Sequence, residues 1–345
     1  MKKYEVAVFI GRFSPLHNAH VETIQRGLEI ADRVIVFVGS ANAARNIRCP
    51  WTYAERAGMI KRNFLREWER VTTTPLNDHL YNDNAWVSEV QSRLSDVKGK
   101  IALIGANKDE TTYYLSMFPM MERVETEVKS GFHSTIVREK LYTALASNYV
   151  PKLSDTFSDM ISDDTSDWIE EWCKAHREQA DRLSREYYFI RNYKTAWSTS
   201  PYPPTFVTVD AVVVCAGHFL AVRRKAAPGE GLIALPGGFI GQHERLIDAC
   251  VRELREETKL KVPAPVIKGS LKDKEVFDHP RRSLRGRTIT HAFYFELADT
   301  TLPKVKGGDD AADAFWVPLS DLSKLQTEIY EDHAHIIEYF TGVTL

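Results

Sequence analysis

Two groups of residues in this chain have the types and spacings to do chemistry. The first is Gly11-Arg12-Phe13-Ser14-Pro15-Leu16-His17-Asn18-Ala19-His20. His17 and His20 are three residues apart, so within the first turn of a helix they share one side. A helix start presents N–H groups without intrahelical partners and favours anions. Two imidazoles and Arg12 beside it can hold phosphate oxygens and stabilise charge developing on phosphorus. There is no Gly-x-x-x-x-Gly-Lys-Ser/Thr stretch, so this is not a P-loop site. The second group is Glu253, Glu256 and Glu257, at i, i+3 and i+4 of a helix and therefore on one face. Carboxylates so close repel one another, and a converging set suits a hard, oxygen-seeking divalent cation.

The elements around these residues give them their meaning. Residues 4–10 (YEVAVFI) read as a buried strand and 33–39 as a second. Between them Val21, Ile24, Leu28 and Ala31 recur at helical spacing over 21–31. Strand, helix and strand in this order form a βαβ unit, so the sheet is parallel. Residues 11–20 then lie at the carboxyl end of a strand, where open α/β sheets bind ligands. Residues 100–105 and 123–128 read as further strands, followed by a helix over 135–146. The Ser-, Asp- and Thr-rich stretch 153–166 reads as a surface connection. Residues 167–193 read as one long helix, with Trp168, Trp172, Ala175, Gln179, Leu183, Tyr187 and Ile190 near one packing face.

The stretch STSPYPP (198–204) carries three prolines and reads as a linker. Beyond it the pattern becomes β-rich, with strands at 205–214, 218–224 and 290–297, a helix at 244–258 and a final amphipathic helix at 321–340. His333 and His335, on that last helix, read as surface residues. The expected organisation is a domain over 1–193, a linker over 194–204 and a second domain over 205–345.

Composition agrees. A chain of 345 residues, at roughly 150 per domain, suggests two domains. With 43% apolar and 27% charged residues it is not collagen-like, disordered or disulfide-stapled. Lys and Arg number 45 and Asp and Glu 47, a net charge of −2, which argues against a nucleic-acid binder held by bulk positive charge. Cys49, Cys173, Cys215 and Cys250 are too scattered for a metal knuckle or redox pair and read as free, buried thiols in a reducing compartment. Glu5 and the pair Gly11-Arg12 interrupt any signal peptide, and no run approaches the ~18 apolar residues of a membrane span. The expectation is a soluble cytoplasmic protein that binds no membrane and no nucleic acid.

The segment GRFSPLHNAH resembles the (His/Thr)-x-Gly-His signature of the nucleotidyltransferase superfamily, and in particular the archaeal-type nicotinamide mononucleotide (NMN) adenylyltransferases. Ala19 stands where the family has Gly; a helix start needs no positive φ, so Ala is expected to be tolerated. Gly39-Ser40-Ala41, Arg45 and Pro50-Trp51-Thr52 with Glu55-Arg56 are similar to the segment after the family's second strand. Asp78 and Tyr81-Asn82-Asp83-Asn84-Ala85-Trp86 resemble its nicotinamide-binding segment, where a tryptophan stacks on the pyridine ring. Gly105-Ala106-Asn107-Lys108-Asp109 follows the third strand, and Ser134-Thr135-Ile136-Val137-Arg138 resembles the Ser-x-Thr-x-x-Arg motif that meets ATP phosphates. The resemblance implies a Rossmann-like parallel sheet and adenylyl transfer from ATP to NMN, giving NAD and pyrophosphate. His17, His20, Arg12 and Arg138 would be catalytic. Gly11, Phe13, Ser40, Arg45, Asp78, Asn84, Trp86, Gly105, Lys108, Asp109, Ser134 and Thr135 would bind substrate.

Gly238, Glu244 and the run Arg252-Glu253-Leu254-Arg255-Glu256-Glu257-Thr258-Lys259-Leu260 match the Nudix box at every signature position but one. Lys259 replaces a glycine that ends the helix, expected to cost about 1 kcal/mol without removing a metal ligand. The resemblance implies an α+β Nudix fold with Glu253, Glu256 and Glu257 as ligands of Mg2+, or alternatively Mn2+, and Arg252 orienting them. Arg223-Arg224-Lys225, Asp278-His279-Pro280, Ser283, residues 286–291 and Gly307-Gly308-Asp309-Asp310 resemble the ADP-ribose-hydrolysing Nudix proteins, with Arg224, Arg287 and Asp309 as substrate contacts. Together the halves imply a multifunctional enzyme of pyridine nucleotide metabolism, with ATP, NMN, NAD and ADP-ribose as its partners; a homo-oligomer is compatible with this. Two rivals stay open. One is a Nudix half acting on NADH or dinucleoside polyphosphates. The other is a DNA-binding regulator that kept the fold as an ADP-ribose sensor, against which the intact carboxylate set and the absence of a basic stripe argue.

Overall fold

The computed structural model describes residues 2–105, 117–126 and 133–345. It divides into two units, Met1–Tyr187 and Tyr188–Leu345.

The first unit is built on a five-stranded parallel sheet of β1 (Tyr4–Gly11), β2 (Ala31–Val38), β3 (Val71–Pro75), β4 (Ile101–Gly105) and β5 (Glu122–Glu125), in the order β3-β2-β1-β4-β5. Because β1 is central it is buried on both faces, and its alternate residues serve two cores. Val6, Val8 and Ile10 pack in one, with Phe37, Leu76 and Val90. Ala7 and Phe9 pack in the other. The helices are α1 (Asn18–Ile30), α2 (Tyr53–Asn63), α3 (Asp83–Arg93), α4 (Ser134–Ala146), the single turn α5 (Ser154–Phe157), α6 (Asp163–Ala175) and α7 (Arg177–Ala196), whose last residues belong to the second unit.

Several expectations change here. Residues 167–193 are not one helix, since His176 leaves helical geometry and ends α6, its ring stacked 5.1 Å from that of Trp172. The stretch 153–166 is not a surface connection: Ser154, Ile161, Thr165 and Ser166 are buried. Its polar residues cap helices, as where the Ser162 hydroxyl accepts from the Thr165 N–H. Strand β3, in a threonine-rich stretch, and helix α2 had no periodicity strong enough to announce them.

The second unit is a mixed sheet of β6 (Thr205–Cys215), β7 (His218–Arg224), β8 (Ile233–Ala234), β9 (Gly237–Phe239), β10 (Leu271–Phe277), β11 (Arg287–Leu297) and β12 (Ala311–Pro318). Its main path runs β10-β11-β6-β7-β12, with β6 and β11 parallel, β8 on β7 and β9 on β6. Alternate residues of β6 again face opposite ways. Val209, Ala211 and Val213 meet α8 (Leu246–Thr258) and α9 (Ala264–Gly269). Val212 and Val214 meet the layer of α10 (Leu322–Leu325) and α11 (His333–Thr341). The expected helix over 321–340 is therefore broken. Tyr330 lies between its two parts, where its N–H donates to Ile233 O at 2.7 Å, and Glu331 has φ +46. His333 is not on the surface but 6% exposed, its Nδ1 accepting from the Leu235 N–H at 2.8 Å, and His335 is half-buried. All four cysteines are free and buried, and burial pushes the Cys173 thiol up to about 12. Among the described residues no helix is long and apolar enough to cross a membrane.

Candidate active sites

The loop after β1 holds the first site. His17 is the N-cap of α1 and His20 its third residue, and the two close a reciprocal capping box. The His20 N–H donates to His17 Nδ1 at 3.4 Å, and the His17 N–H to His20 Nδ1 at 3.3 Å. Because each Nδ1 accepts, each ring carries its proton on Nε2, and both imidazoles are donors through that atom. The rings stack with centroids 3.5 Å apart and an interplanar angle of 14°. The expected shared side is thus direct contact. Ala19 lies inside α1, so the missing glycine costs no backbone strain.

Phe13 does something other than expected. It takes φ +49, is 1% exposed, covers Gly11 and meets His20 edge-on at 4.9 Å. It is a wall that positions the second imidazole. Arg12 is exposed. Arg138, on α4, donates to the carbonyls of Ser14 and of Ile47, the latter at 3.0 Å, and Ser134 Oγ donates to Pro15 O at 3.1 Å. These bonds tie the start of α4 to the histidine loop. Arg138 Nη2 also donates to Thr135 Oγ1 at 3.2 Å. Burial lowers the Arg138 pKa, and the charge of Arg12 lowers it further.

Arg56, noted in the sequence only as part of the segment after the second strand and given no role there, holds the site together. It is 0% exposed. Its guanidinium donates to the carbonyls of Arg12 (2.7 Å), Gly39 (2.6 Å), Ser40 (3.0 Å) and Thr52 (3.3 Å). The first three of these atoms lie just past the carboxyl ends of β1 and β2, so one buried charge fixes both loops of the site. The available signal was the capping box Thr52-x-x-Glu55, which starts α2 and puts Arg56 on its first turn. Arg56→Lys cannot serve all four acceptors. It should destabilise the chain by about 2–4 kcal/mol, the cost of buried carbonyls left without donors. Urea unfolding of the full chain measures this, and an unchanged midpoint would remove Arg56 from that role.

Arg45 forms a fork on Glu55, one arm at 2.7 Å, and stacks over Trp172 at 5.6 Å. Burial acts to raise the Glu55 pKa, but hydrogen bonds from Arg45, Trp172 and the Thr52 N–H hold it low. Arg45 is thus engaged inside the unit. Ser40 is buried with φ +52. Asp78 is clasped by Asn42, which accepts from its N–H at 2.8 Å and donates to its carbonyl at 3.3 Å. Asn84 is exposed on the first turn of α3, and Trp86 is half-buried, packed on the second core with its ring 5.8 Å from that of Phe118. Gly105 ends β4; Lys108 and Asp109 lie outside the described residues.

The second site is on α8. Its inner face (Ala249, Cys250, Leu254) packs on the sheet and its other face carries the carboxylates. Arg252 is the hub. It binds Glu244 through Nε (3.0 Å) and Nη2 (2.7 Å), and its Nη1 donates to Glu253 (2.8 Å) and Glu256 (2.9 Å). Together with the Gly241 N–H it takes Glu244 down to about 2. Glu257 is 8% exposed and accepts from the Gly237 N–H at 3.0 Å. Burial pushes its carboxyl up to about 8, and burial also raises that of Glu253. The Glu253 carboxyl lies close over Gly238, 2.8 Å from where a Cβ would stand, so a larger residue there would push the carboxylate aside. Lys259 sits at the end of α8 in the left-handed region, φ 48, as expected of the residue that replaces a glycine. The loop holding Asp309 caps the same helix end, with the Lys306 and Gly308 N–H groups donating to the carbonyls of Thr258 (2.8 Å) and Glu257 (2.9 Å). Asp309 itself is exposed.

Among the described residues no three His, Cys, Asp or Glu side chains stand close enough together to enclose an ion. Arg252 draws Glu253 and Glu256, while Gly237 draws Glu257. The donor set nonetheless fits a divalent cation: hard carboxylate oxygens on one helix, two of them in surroundings that disfavour uncompensated negative charge. Of the expected substrate arginines, Arg224 donates to Pro228 O at 2.8 Å and stacks on Tyr330 at 4.1 Å, and Arg287 binds Asp278.

Known proteins resemble the two units separately and the chain as a whole. The Cytidylyltransferase-like family matches residues 8–140 and the NUDIX domain family residues 204–340. A nicotinamide/nicotinic acid mononucleotide adenylyltransferase of Acinetobacter baylyi is 40% identical over 147 residues, covering 41% of this chain and 78% of that protein. An ADP-ribose pyrophosphatase of Methanocaldococcus jannaschii is 36% identical over 132 residues, covering 38% of this chain and 70% of that one. The crystal structure of a bifunctional NMN adenylyltransferase/ADP ribose pyrophosphatase from Francisella tularensis superposes with a TM-score of 0.89 at 32% identity, covering 98% of this chain and 99% of that chain. That protein has also been solved complexed with AMP and Mn ion.

Proposed function

This chain belongs to the family of bifunctional NMN adenylyltransferase/ADP-ribose pyrophosphatases, and we propose that its two units each carry one of the two reactions. In the first unit the 5′-phosphate oxygen of NMN bonds to the α-phosphorus of ATP as the bond to the pyrophosphate oxygen breaks, giving NAD. Positioning and charge stabilisation carry such a displacement. The observation that supports this most is the stacked His17–His20 pair, two Nε2–H donors held at the end of β1. Arg12 and Arg138 bind the triphosphate from either side of the same loop, with Mg2+ as the counter-ion of the nucleotide.

In the second unit ADP-ribose is hydrolysed to AMP and ribose 5-phosphate. Glu253, Glu256 and Glu257 would hold Mg2+, with Mn2+ as a substitute, and Arg252 would release the first two to it. When bound, the cation neutralises the diphosphate and acidifies the attacking water. Incubating the full chain with NMN, ATP and Mg2+, and separately with ADP-ribose and Mg2+, tests both assignments. NAD must form in the first mixture, and AMP with ribose 5-phosphate in the second. NADH or a dinucleoside polyphosphate cleaved in preference to ADP-ribose would overturn the second.

Trp86 offers a finer test. The side chain is half-buried against the second core, and its ring is proposed to stack on the pyridine ring of NMN. Trp86→Ala should raise the KM for NMN roughly 5- to 10-fold, the size of an aromatic stacking contact, and leave the KM for ATP within about twofold. Equal rises in both constants with a lowered melting temperature would make Trp86 a packing residue only.

A further inference from the structure

Several arginines of the second unit could meet an anionic substrate, and most are already engaged; Arg223 donates to Gly231 O at 2.9 Å. Arg224 donates to Pro228 O and lies on Tyr330. Arg282 is buried in a bidentate pair with Asp332, at 2.8 and 2.9 Å. Arg287 binds Asp278. Arg285 differs: its Nε is buried without a hydrogen-bond partner, and its guanidinium makes no ion pair, among the described residues. The Nη1 and Nη2 groups of Arg285 also lack a hydrogen-bond partner among the described residues but are not buried, so they are the donors a ligand can reach.

The position of Arg285 is built from both sides. Its guanidinium lies 4.9 Å from the ring centroid of Phe239, and Phe239 packs edge-on against Phe206 at 5.9 Å. Gly286 takes φ +152, which side chains other than glycine's rarely allow, and a Cβ there would lie 3.3 Å from the Phe206 ring. On the other side, Arg282 on Asp332 and the Leu284 N–H donating to Glu331 at 3.1 Å anchor the loop. The loop thus cannot swing the guanidinium away without breaking buried contacts.

Its surroundings are those of the carboxylate helix. Phe239 follows Gly238, which lies against Glu253, and the Phe239 carbonyl accepts from Arg252 at 3.5 Å. The charges of Arg285 and Arg224 both bear on Tyr330, and that of Arg224 also on Glu257. A planar guanidinium seated over an aromatic ring, with its two Nη groups reaching solvent, can offer both to two oxygens of a phosphate.

We propose that Arg285 is a substrate-binding residue of the hydrolase site, donating to phosphate oxygens of the diphosphate. This rests on the reading of the second unit as an ADP-ribose hydrolase. Arg285→Gln should lower kcat/KM for ADP-ribose roughly 10- to 100-fold, the worth of a charge-assisted hydrogen bond to phosphate. Inorganic pyrophosphate, as a competitive inhibitor, should weaken by a similar factor. Arg285→Lys should recover part of both, because the charge is kept and the planar fork is lost. NAD synthesis and the melting curve of the full chain should be unchanged in either variant. A pyrophosphate inhibition constant within twofold of the parent in the folded Gln variant would overturn the proposal, whatever happens to the KM. Should the parent chain fail to cleave ADP-ribose, the hydrolase reading falls. Calorimetric titration of pyrophosphate and Mg2+ into parent and Arg285→Gln then still decides, since equal affinities overturn the role of Arg285.

Discussion

Replacing Glu257 with Gln should reduce ADP-ribose hydrolysis by about 10²-fold or more while NAD synthesis continues at the parent rate. Even groups that only orient a metal ligand cost 10–100-fold in affinity or activity when removed, so loss of a charged ligand sets a floor near the top of that range. The amide keeps the shape and can still accept from the Gly237 N–H, so the fold has no reason to change. Added Mg2+ should recover only part of the rate, because the ion would bind a site with one negative charge fewer. Stability gives an independent check. Burial raises the Glu257 carboxyl to about 8, above its ordinary unfolded value, so ionising it costs stability. That cost is absent below pH ~4, grows as the pH rises and is complete above about 8. In the metal-free chain Glu257→Gln should therefore be at least as stable as the parent at pH 8, and its stability should decline less between pH 5 and 9. Unchanged ADP-ribose cleavage would show that this carboxylate is no part of the metal site. Loss of both activities in a fully folded variant would contradict two independent sites.

The second large effect falls on the other unit. His20→Ala should lower the rate of NAD formation by about 10²-fold or more, the size seen when one preorganised donor to a transition-state oxyanion is removed. The substitution also breaks half of the capping box, for which about 1 kcal/mol of stability is expected. That loss is too small to unfold the chain, and ADP-ribose hydrolysis in the same sample reports that the rest is intact. The stack predicts a dependence between the two histidines. With His20 gone, the His17 N–H loses its Nδ1 acceptor and the His17 ring its stacking partner, so the double variant should be little worse than either single one. Near-parental NAD synthesis in His20→Ala would take the imidazole out of the mechanism.

Much of both sites was legible in the sequence because their chemistry depends on short-range spacing. His17 and His20 at i and i+3, and Glu253, Glu256 and Glu257 at i, i+3 and i+4, share a side of any helix they occupy, whatever surrounds it. A buried apolar run before the histidines placed them at a strand end, and the left-handed Lys259 was readable as the stand-in for a helix-ending glycine. The alternation of β1 and β6 likewise followed from their residues, since a strand covered on both faces needs apolar side chains on both.

Other features depended on which distant segments meet, and the sequence carries no local trace of that. A lone Arg56 looks like any charged helix residue, and only the convergence of three loop carbonyls makes it the clasp of the transferase site. His333 reads as a surface histidine until β8 delivers the Leu235 N–H to its ring. Phe13 reads as a ligand contact until a positive φ folds it over Gly11. Among the basic residues 281–287, type and spacing cannot rank one arginine above another. Arg282 and Arg287 are spent on Asp332 and Asp278, carboxylates that only folding brings to them, and Arg285 is left beside Phe239. Sequence determined the residues able to do the chemistry, because helical and strand periodicities are local. The tertiary structure decided which of them are already satisfied, because burial and hydrogen-bond partners are set by contacts between segments far apart in the chain.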